Sequence, residues 1–291
     1  MKGEYVRIWT EDSIELQGLF CKSKKESNKA VLHIHGLAGN FYENRFIDYI
    51  ADEVVNRGYN FLTVNTRGHD YISDFLKKTG RRLTYVQIGG AYEILKECFF
   101  DISGWVNFLE NRQCSKIALQ GHSTGAIKVV YYQSELKDPR ISALILLSPS
   151  DDIGLQRFRL GERYDDALRV AKQKVAEGKD RDLMPSKFFD YPISAKTYLD
   201  MFGPETKHGI FSFTDERLKE LEDISCPILA LFGTVREAVV GDVRDCLKLL
   251  QKYAKQSKRC DTAIIEGAPH NYLQHEMELA SLIGKWISEH M

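Results

Sequence analysis

The sequence predicts an α/β protein with a doubly wound, mostly parallel eight-stranded sheet, helices on both faces and one helical insertion. Three observations predict it. Short, near-continuous apolar runs alternate with helical patterns along most of the chain. The pentapeptide Gly121-His122-Ser123-Thr124-Gly125 stands between such a run, Lys116 to Gln120, and a helical pattern opening at Ala126. The alternation breaks from about Asp152 to Asp215, where the chain is charged, aromatic and helical in pattern.

Taken in order, Tyr5 to Trp9 and Ile14 to Phe20 alternate apolar and polar residues around a turn at Asp12-Ser13, which reads as an antiparallel hairpin with one wet face. The runs Ala30–Ile34, Phe61–Val64, Ile117–Leu119, Ala143–Leu147, Ile228–Phe232 and Thr262–Ile265 suit parallel strands covered on both sides. Helical patterns fall at Asn44–Asn56, Glu93–Glu110, Thr124–Glu135, Asp242–Ala254 and Glu276–His290. Tyr71 to Tyr92 is a smaller insertion, a loop or short hairpin beside the mouth of any site at the strand ends. The long break is too extended for a structureless loop. It reads as a helical cap, residues 152–215, inserted between the sixth and seventh strands of a core made of residues 1–151 and 216–291, with Leu168, Ala171 and Val175 as its apolar stripe. Caps of this kind lie over the carboxyl ends of parallel strands, where ligands bind.

Composition excludes several classes. The 40 basic and 41 acidic residues leave a net charge of −1, which gives no electrostatic footprint for nucleic acid or an anionic membrane. Lys22-Ser23-Lys24-Lys25 reads as a solvated loop. Six scattered cysteines without a C-x-x-C pair, and no signal-like N-terminus, lead us to expect reduced thiols in a cytoplasmic protein. No apolar run approaches the roughly 18 residues that cross a membrane.

The pentapeptide fits a nucleophile elbow, in which flanking glycines permit a tight strand-to-helix turn and the serine is held at a strained backbone conformation. Acyl transfer at Ser123 requires a base, an orienting acid and an oxyanion hole. His270 is the best placed of the eight histidines, on the loop Gly267-Ala268-Pro269-His270 between the last strand and the last helix. His122 is too constrained by the elbow to serve, and its ring is expected to pack against the sheet or nearby loops. Glu237 is the first carboxylate after the Ile228–Phe232 strand and the leading acid. Asp151 and Asp152 are alternatives, and Asp242 is better read as a helix N-cap. The backbone N–H groups of Leu37, after His35-Gly36, and of Thr124 are the candidate oxyanion donors.

With His35-Gly36-Leu37, Asn65-Thr66-Arg67-Gly68-His69, Gly121-His122-Ser123-Thr124-Gly125 and Gly267-Ala268-Pro269-His270 on the page, the chain resembles the α/β-hydrolase superfamily over nearly its whole length. The order Ser123, Glu237, His270 is the one expected there. The resemblance implies a serine hydrolase acting on a small-molecule ester, with no metal or organic cofactor. One departure stands out. The family pattern after the seventh strand is G-x-x-D, and here Gly233 is followed by Arg236 at the aspartate position, with Glu237 one residue beyond. A weaker similarity, carried by Leu147-Ser148-Pro149-Ser150-Asp151-Asp152 and Gly90-Ala91-Tyr92-Glu93, is to the branch containing fungal siderophore ester hydrolases, and points to ester or lactone substrates.

The leading expectation is hydrolysis of a carboxylic ester, lactone or thioester. Two rivals remain open. One is an acyltransferase or thioesterase of a biosynthetic pathway. The other is a non-catalytic homologue that binds a small ligand, motivated by Arg236.

Overall fold

In a computed structural model describing residues 1–291, the apolar runs become an eight-stranded sheet. Strands β1 (Glu4–Trp9) and β2 (Glu15–Cys21) form the antiparallel hairpin, and β2 also pairs antiparallel with β4 (Asn60–Val64). β3 (Lys29–Ile34), β4, β7 (Lys116–His122), β8 (Ile141–Leu147), β9 (Ile228–Phe232) and β10 (Cys260–Ile264) run parallel. The spatial order is β1-β2-β4-β3-β7-β8-β9-β10. The chain thus has the α/β-hydrolase fold that the sequence predicts. The insertion after Tyr71 is a hairpin of β5 (Ser73–Thr79) and β6 (Arg82–Ile88), a separate two-stranded sheet tied to the main one through the Ile14–Lys77 bridge.

The continuity of the apolar runs follows from burial on both faces. Along β8 and β9, Leu144, Leu146, Ile228, Ala230 and Phe232 enter one layer, and Ala143, Ile145, Leu147, Leu229 and Leu231 the other. The first layer is closed by α2 (Cys98–Asn111), α3 (Thr124–Leu136) and α7 (Val243–Tyr253), and the second by α1 (Phe46–Asn56) and α8 (Glu276–His290). The solvated faces of the flanking helices carry their charge. β10, at the sheet edge, is only half buried along its length, and it starts and ends earlier than its apolar run predicts.

Between β8 and β9 lie α4 (Asp152–Leu160), α5 (Arg163–Ala176) and α6 (Ala195–Phe202). They enclose a small core of their own, in which Ala167 and Ala171 meet Phe188, Tyr198 and Phe202. Of the expected α5 stripe, Ala171 lies in this core and Leu168 packs against it, and only Val175 falls outside. Ala167 is buried and Val175 is 36% exposed, because the helix turns its two alanines to the closely packed α6. No helix is long and apolar enough to cross a membrane, and all six cysteines are free thiols.

Candidate active site

The turn from β7 into α3 is built by close approach. A Cβ at Gly121 would stand 2.3 Å from the Gly125 carbonyl oxygen, and one at Gly125 would stand 2.4 Å from that of Ile34. Only glycine fits at either position. Ser123, between them, sits at φ 55° and ψ −127°, a conformation that costs an L-residue on the order of 1–3 kcal/mol and is held by its surroundings. The Ser123 N–H donates to Leu147 O (2.9 Å), which anchors the turn to the neighbouring strand. Its side chain faces a cavity of about 650 Å³ that His270, Leu37, Asn40, Asp70 and Tyr191 also line.

His270 arrives on the loop after β10. That loop is zipped to the loop after β9, where the N–H groups of Thr234 and Val235 both donate to Ala268 O (2.9 and 3.0 Å). Zipping brings Glu237 beside the ring, so His270 Nδ1 lies 2.8 Å from Glu237 Oε2. A nitrogen facing a carboxylate carries the proton, which leaves Nε2 as the free base of the ring. Ser123 Oγ makes no hydrogen bond to this ring, and nucleophile–base contacts of this kind tighten in the Michaelis complex. Glu237 is only 3% exposed. Its Oε1 accepts the Gly233 N–H (2.7 Å) and the Ser148 hydroxyl (3.0 Å), and Ser148 Oγ in turn lies 2.7 Å from the Tyr272 hydroxyl. Burial, and then the charge of Glu237, push the Tyr272 phenol far up, so it stays neutral.

The alternative acids are engaged elsewhere. Asp151 caps α4, accepting the Gly154 N–H (2.7 Å) and both the N–H (3.0 Å) and hydroxyl (3.1 Å) of Thr214. Asp152 is the first residue of α4 and accepts the Thr124 hydroxyl at 3.4 Å. Asp242 caps α7 through the Arg244 N–H (2.8 Å). Neither Asp151, Asp152 nor Asp242 is hydrogen-bonded to His270.

The two candidate oxyanion donors are unspent. Thr124 opens α3, so its N–H has no intrahelical acceptor, and the Leu37 N–H donates to no protein acceptor. The peptide that carries the Leu37 N–H is fixed from its other end. Gly36 O belongs to the same planar unit and accepts the Nδ1 proton of His35 (2.7 Å), so the N–H must point the opposite way. His35 is held in that tautomer because its Nε2 accepts the Thr66 N–H (3.0 Å), and burial, then the Lys128 charge, hold its pKa well below the usual histidine value. Gly36 permits the approach, since a Cβ there would stand 3.0 Å from Ser123 Cβ.

Several supporting residues escape sequence reasoning. His122 packs on Phe46 and Tyr272, as expected of a ring constrained by the elbow; what the sequence does not show is that it also donates from Nε2 to His270 O (2.9 Å) and so pins the His270 loop. Burial, then the proximity of His270, hold it neutral. Beneath the His35–Leu37 loop, Lys128 is 1% exposed and meets Glu93 Oε1 at 2.6 Å and Thr66 Oγ1 at 3.3 Å. Its signal is a lysine amid Ala126-Ile127 and Val129-Val130, an apolar surround that solvates no charge. Arg67, buried likewise, is clasped by Asp101 (2.8 Å) and Asp12 (2.9 Å). The Asn65–His69 segment thus serves as the anchor for the His35 loop. No group of three or more His, Cys, Asp or Glu side chains is assembled to hold a metal ion.

Comparison with known proteins agrees with this architecture. A family model described as protein of unknown function (DUF1749) matches residues 14–289. The chain belongs to this family. A curated relative of the DUF1749 chain, a UPF0613 protein of Schizosaccharomyces pombe, is 28% identical over 180 residues, which cover 54% of this chain and 57% of that protein. The match thus spans little more than half of the relative's length. Among solved structures, Est1E of Butyrivibrio proteoclasticus with bound ferulic acid superposes with a TM-score of 0.68 at 20% identity, covering 98% of both chains. A soluble variant of monoglyceride lipase from Saccharomyces cerevisiae with a substrate analogue gives 0.68 at 14% identity, over 100% of this chain and 96% of that one. An esterase of Pyrococcus furiosus gives 0.63 at 18% identity, over 100% and 92%. At these identities the likeness is one of fold.

Proposed function

We propose that the protein is a serine hydrolase of carboxylic esters, with Ser123 as nucleophile, His270 as base and Glu237 as the orienting acid. The observation that carries this reading is the 2.8 Å contact between His270 Nδ1 and the buried Glu237, on loops facing a strained serine across one cavity. Esterases and lipases among the structural neighbours support the reaction class.

In this reading His270 Nε2 takes the Ser123 proton as Oγ attacks the ester carbonyl. The Leu37 and Thr124 N–H groups hold the oxyanion. The tetrahedral intermediate collapses, and His270 gives its proton to the leaving alkoxide. Water then attacks the acyl carbonyl as the same nitrogen takes its proton; the bond to Ser123 Oγ breaks, His270 returns the proton to Oγ, and the carboxylic acid leaves. Glu237 stays ionised throughout and stabilises the imidazolium. Residues 152–215 act as a cap, supported by their separate core and by Tyr191, which they contribute to the cavity wall. The non-catalytic alternative loses its motive, because Glu237 takes the partner's place that Arg236 left empty.

The test is labelling with a fluorophosphonate probe together with hydrolysis of p-nitrophenyl acetate. Both are expected for the wild-type protein and abolished in Ser123→Ala. Folded protein that resists the probe, or a Ser123→Ala variant with full esterase activity, refutes the mechanism.

A further inference from the structure

The cavity over Ser123 has an uneven charge. Glu43 and Asp70 line it, with the neutral side chains of Asn40 and Asn271, and no lysine or arginine does. Local cations are committed elsewhere, since Arg45, near Glu43 in sequence, faces Glu276 at 4.0 Å. Asp70 is held in place by neutral donors alone. Asn40 Nδ2 donates to Oδ1 at 3.1 Å, and His69 Nδ1 lies 2.9 Å from Oδ2. Burial keeps the pKa of His69 below the usual histidine value, so the ring orients the carboxylate without neutralising it at neutral pH. Glu43 is exposed to the cavity and forms no ion pair or side-chain hydrogen bond.

An aromatic wall stands beside these carboxylates. Tyr71, from the loop before β5, stacks on Tyr191 of the insertion with ring centroids 4.9 Å apart and planes 20° from parallel. Both rings line the cavity. Burial, then Tyr191, then the Glu43 charge push the Tyr71 phenol up to about 12, which places the carboxylate and the stacked pair in one electrostatic neighbourhood. Unneutralised carboxylates and aromatic faces are the two protein features that favour a desolvating ammonium group. The same lining disfavours a carboxylate-bearing ester.

We propose that this cavity selects esters that carry a cationic group close to the reacting carbonyl, received by Glu43 and Asp70 against the Tyr71–Tyr191 wall. The proposal rests on the hydrolase reading for its reaction and goes beyond it in naming the substrate class. Each partly solvated carboxylate contributes a few-fold in affinity, so the pair gives a preference of about tenfold.

The experiment compares acetylcholine with dimethylbutyl acetate, its uncharged carbon isostere, as kcat/KM on the wild-type protein and as calorimetric Kd on Ser123→Ala. The expected result is an approximately tenfold preference for the ammonium ester in both, weakening at high salt. In a Glu43→Gln, Asp70→Asn variant the ratio is expected to approach one. Asparagine tolerates the positive φ of Asp70 (54°), so the second substitution preserves the backbone. Equal turnover of the two esters by an active enzyme overturns the proposal and leaves the hydrolase reading standing. Selective binding to a protein that hydrolyses no ester, p-nitrophenyl acetate included, upholds the cation site and refutes the hydrolase reading. A preference unchanged in the double variant overturns the assignment to these carboxylates.

Discussion

Glu237→Gln probes the residue on which the proposed mechanism most depends, because it keeps the shape of the side chain and removes only its charge. The amide has two orientations, and the surroundings choose between them. With its NH2 toward Gly233 N–H and the Ser148 hydroxyl, it would lose the 2.7 Å bond from Gly233 and set two N–H groups against each other, while the Ser148 hydroxyl would have to turn and accept. With its oxygen there, both bonds survive and the NH2 faces His270 Nδ1. The second orientation wins by the Gly233 hydrogen bond, worth about 1 kcal/mol, and by leaving no buried N–H without an acceptor. His270 must then accept at Nδ1 and carry its proton on Nε2, the nitrogen that has to receive the Ser123 proton. The base is thereby locked in the wrong tautomer. An acid-to-amide change of this type lowers kcat by about 10⁴-fold, or about 5 kcal/mol in the barrier. The assay is kcat for p-nitrophenyl acetate under saturation, with the melting temperature recorded to show that the fold is intact. Asp151→Asn serves as the comparison, since its carboxylate touches Gly154 and Thr214 rather than the histidine. It should cost about 1 kcal/mol of stability through the lost Thr214 N–H bond, since asparagine caps a helix as well as aspartate does, and leave kcat within a few-fold. A Glu237→Gln enzyme within tenfold of wild type, or an Asp151→Asn enzyme that falls by orders of magnitude, refutes the assignment of the acid.

Three further outcomes are expected. Gly125→Ala places a Cβ 2.4 Å from Ile34 O and 2.6 Å from His35 O, both backbone, so the elbow must open; the cost exceeds the 1–3 kcal/mol of ordinary overpacking (about twofold is expected), and probe labelling at Ser123 falls with the unfolding midpoint in urea. Lys128→Met strands Glu93 without its 2.6 Å partner in a buried site and should destabilise by about 3–5 kcal/mol, whereas a loss below about 1 kcal/mol in urea denaturation refutes the pairing. Burial alone would lower the pKa of His208, but Asp152 and Asp200, 3.8 and 3.6 Å from its ring nitrogens, raise it to about 9. Its stabilising contribution is therefore complete below about pH 6.5 and is lost as pH rises through about 9, on the order of 3 kcal/mol; a stability difference between wild type and His208→Gln that stays flat from pH 6 to 10 refutes this.

What was legible in the sequence follows the range of the interactions involved. β3, β8 and β9 are covered on both faces, so their residues are apolar for the same reason, apart from Lys29, His33 and Ser142, and the runs stand out. The elbow is legible because its constraints, glycine against glycine across four residues, are local. His270 is legible because one loop at the end of the sheet lies over the serine. The stripe on α5 is right at Leu168 and Ala171 but misses Ala167 and includes Val175, because its packing partner, α6, is not visible as a partner in sequence, and alanine and valine look alike to a periodicity argument. Lys128 and Glu93 lie 35 residues apart, and nothing local distinguishes that glutamate from a solvated one. The acid was open for a related reason. Asp151, Asp242 and Glu237 all follow strands, and a carboxylate that caps a helix is written with the same letters as one that orients a histidine. Only the partners separate them.

The position of Glu237 shows how a departure from a sequence pattern is absorbed by geometry. In the superfamily that the chain resembles, the acid occupies the place of Arg236. Moving it one residue along an extended chain turns the side chain to the opposite side. Arg236, however, adopts φ 53°, a left-handed conformation that redirects the following residue. The glutamate side chain then adds one methylene, about 1.5 Å of reach. Together the two changes return a carboxylate to 2.8 Å from His270 Nδ1, while the amide of Gly233, at the end of β9, still fixes its other oxygen. The left-handed arginine costs about 1–2 kcal/mol, and what offsets it is local. The bonds from Thr234 and Val235 to Ala268 hold the Glu237 loop against the His270 loop on one side of the strained residue, and the Glu237 carboxylate ties it on the other. A motif search that requires aspartate at the usual position would pass over the carboxylate we propose as the acid. Physically the constraint is on where the carboxylate oxygen lies and what holds it there, and a backbone dihedral together with a longer side chain satisfies it.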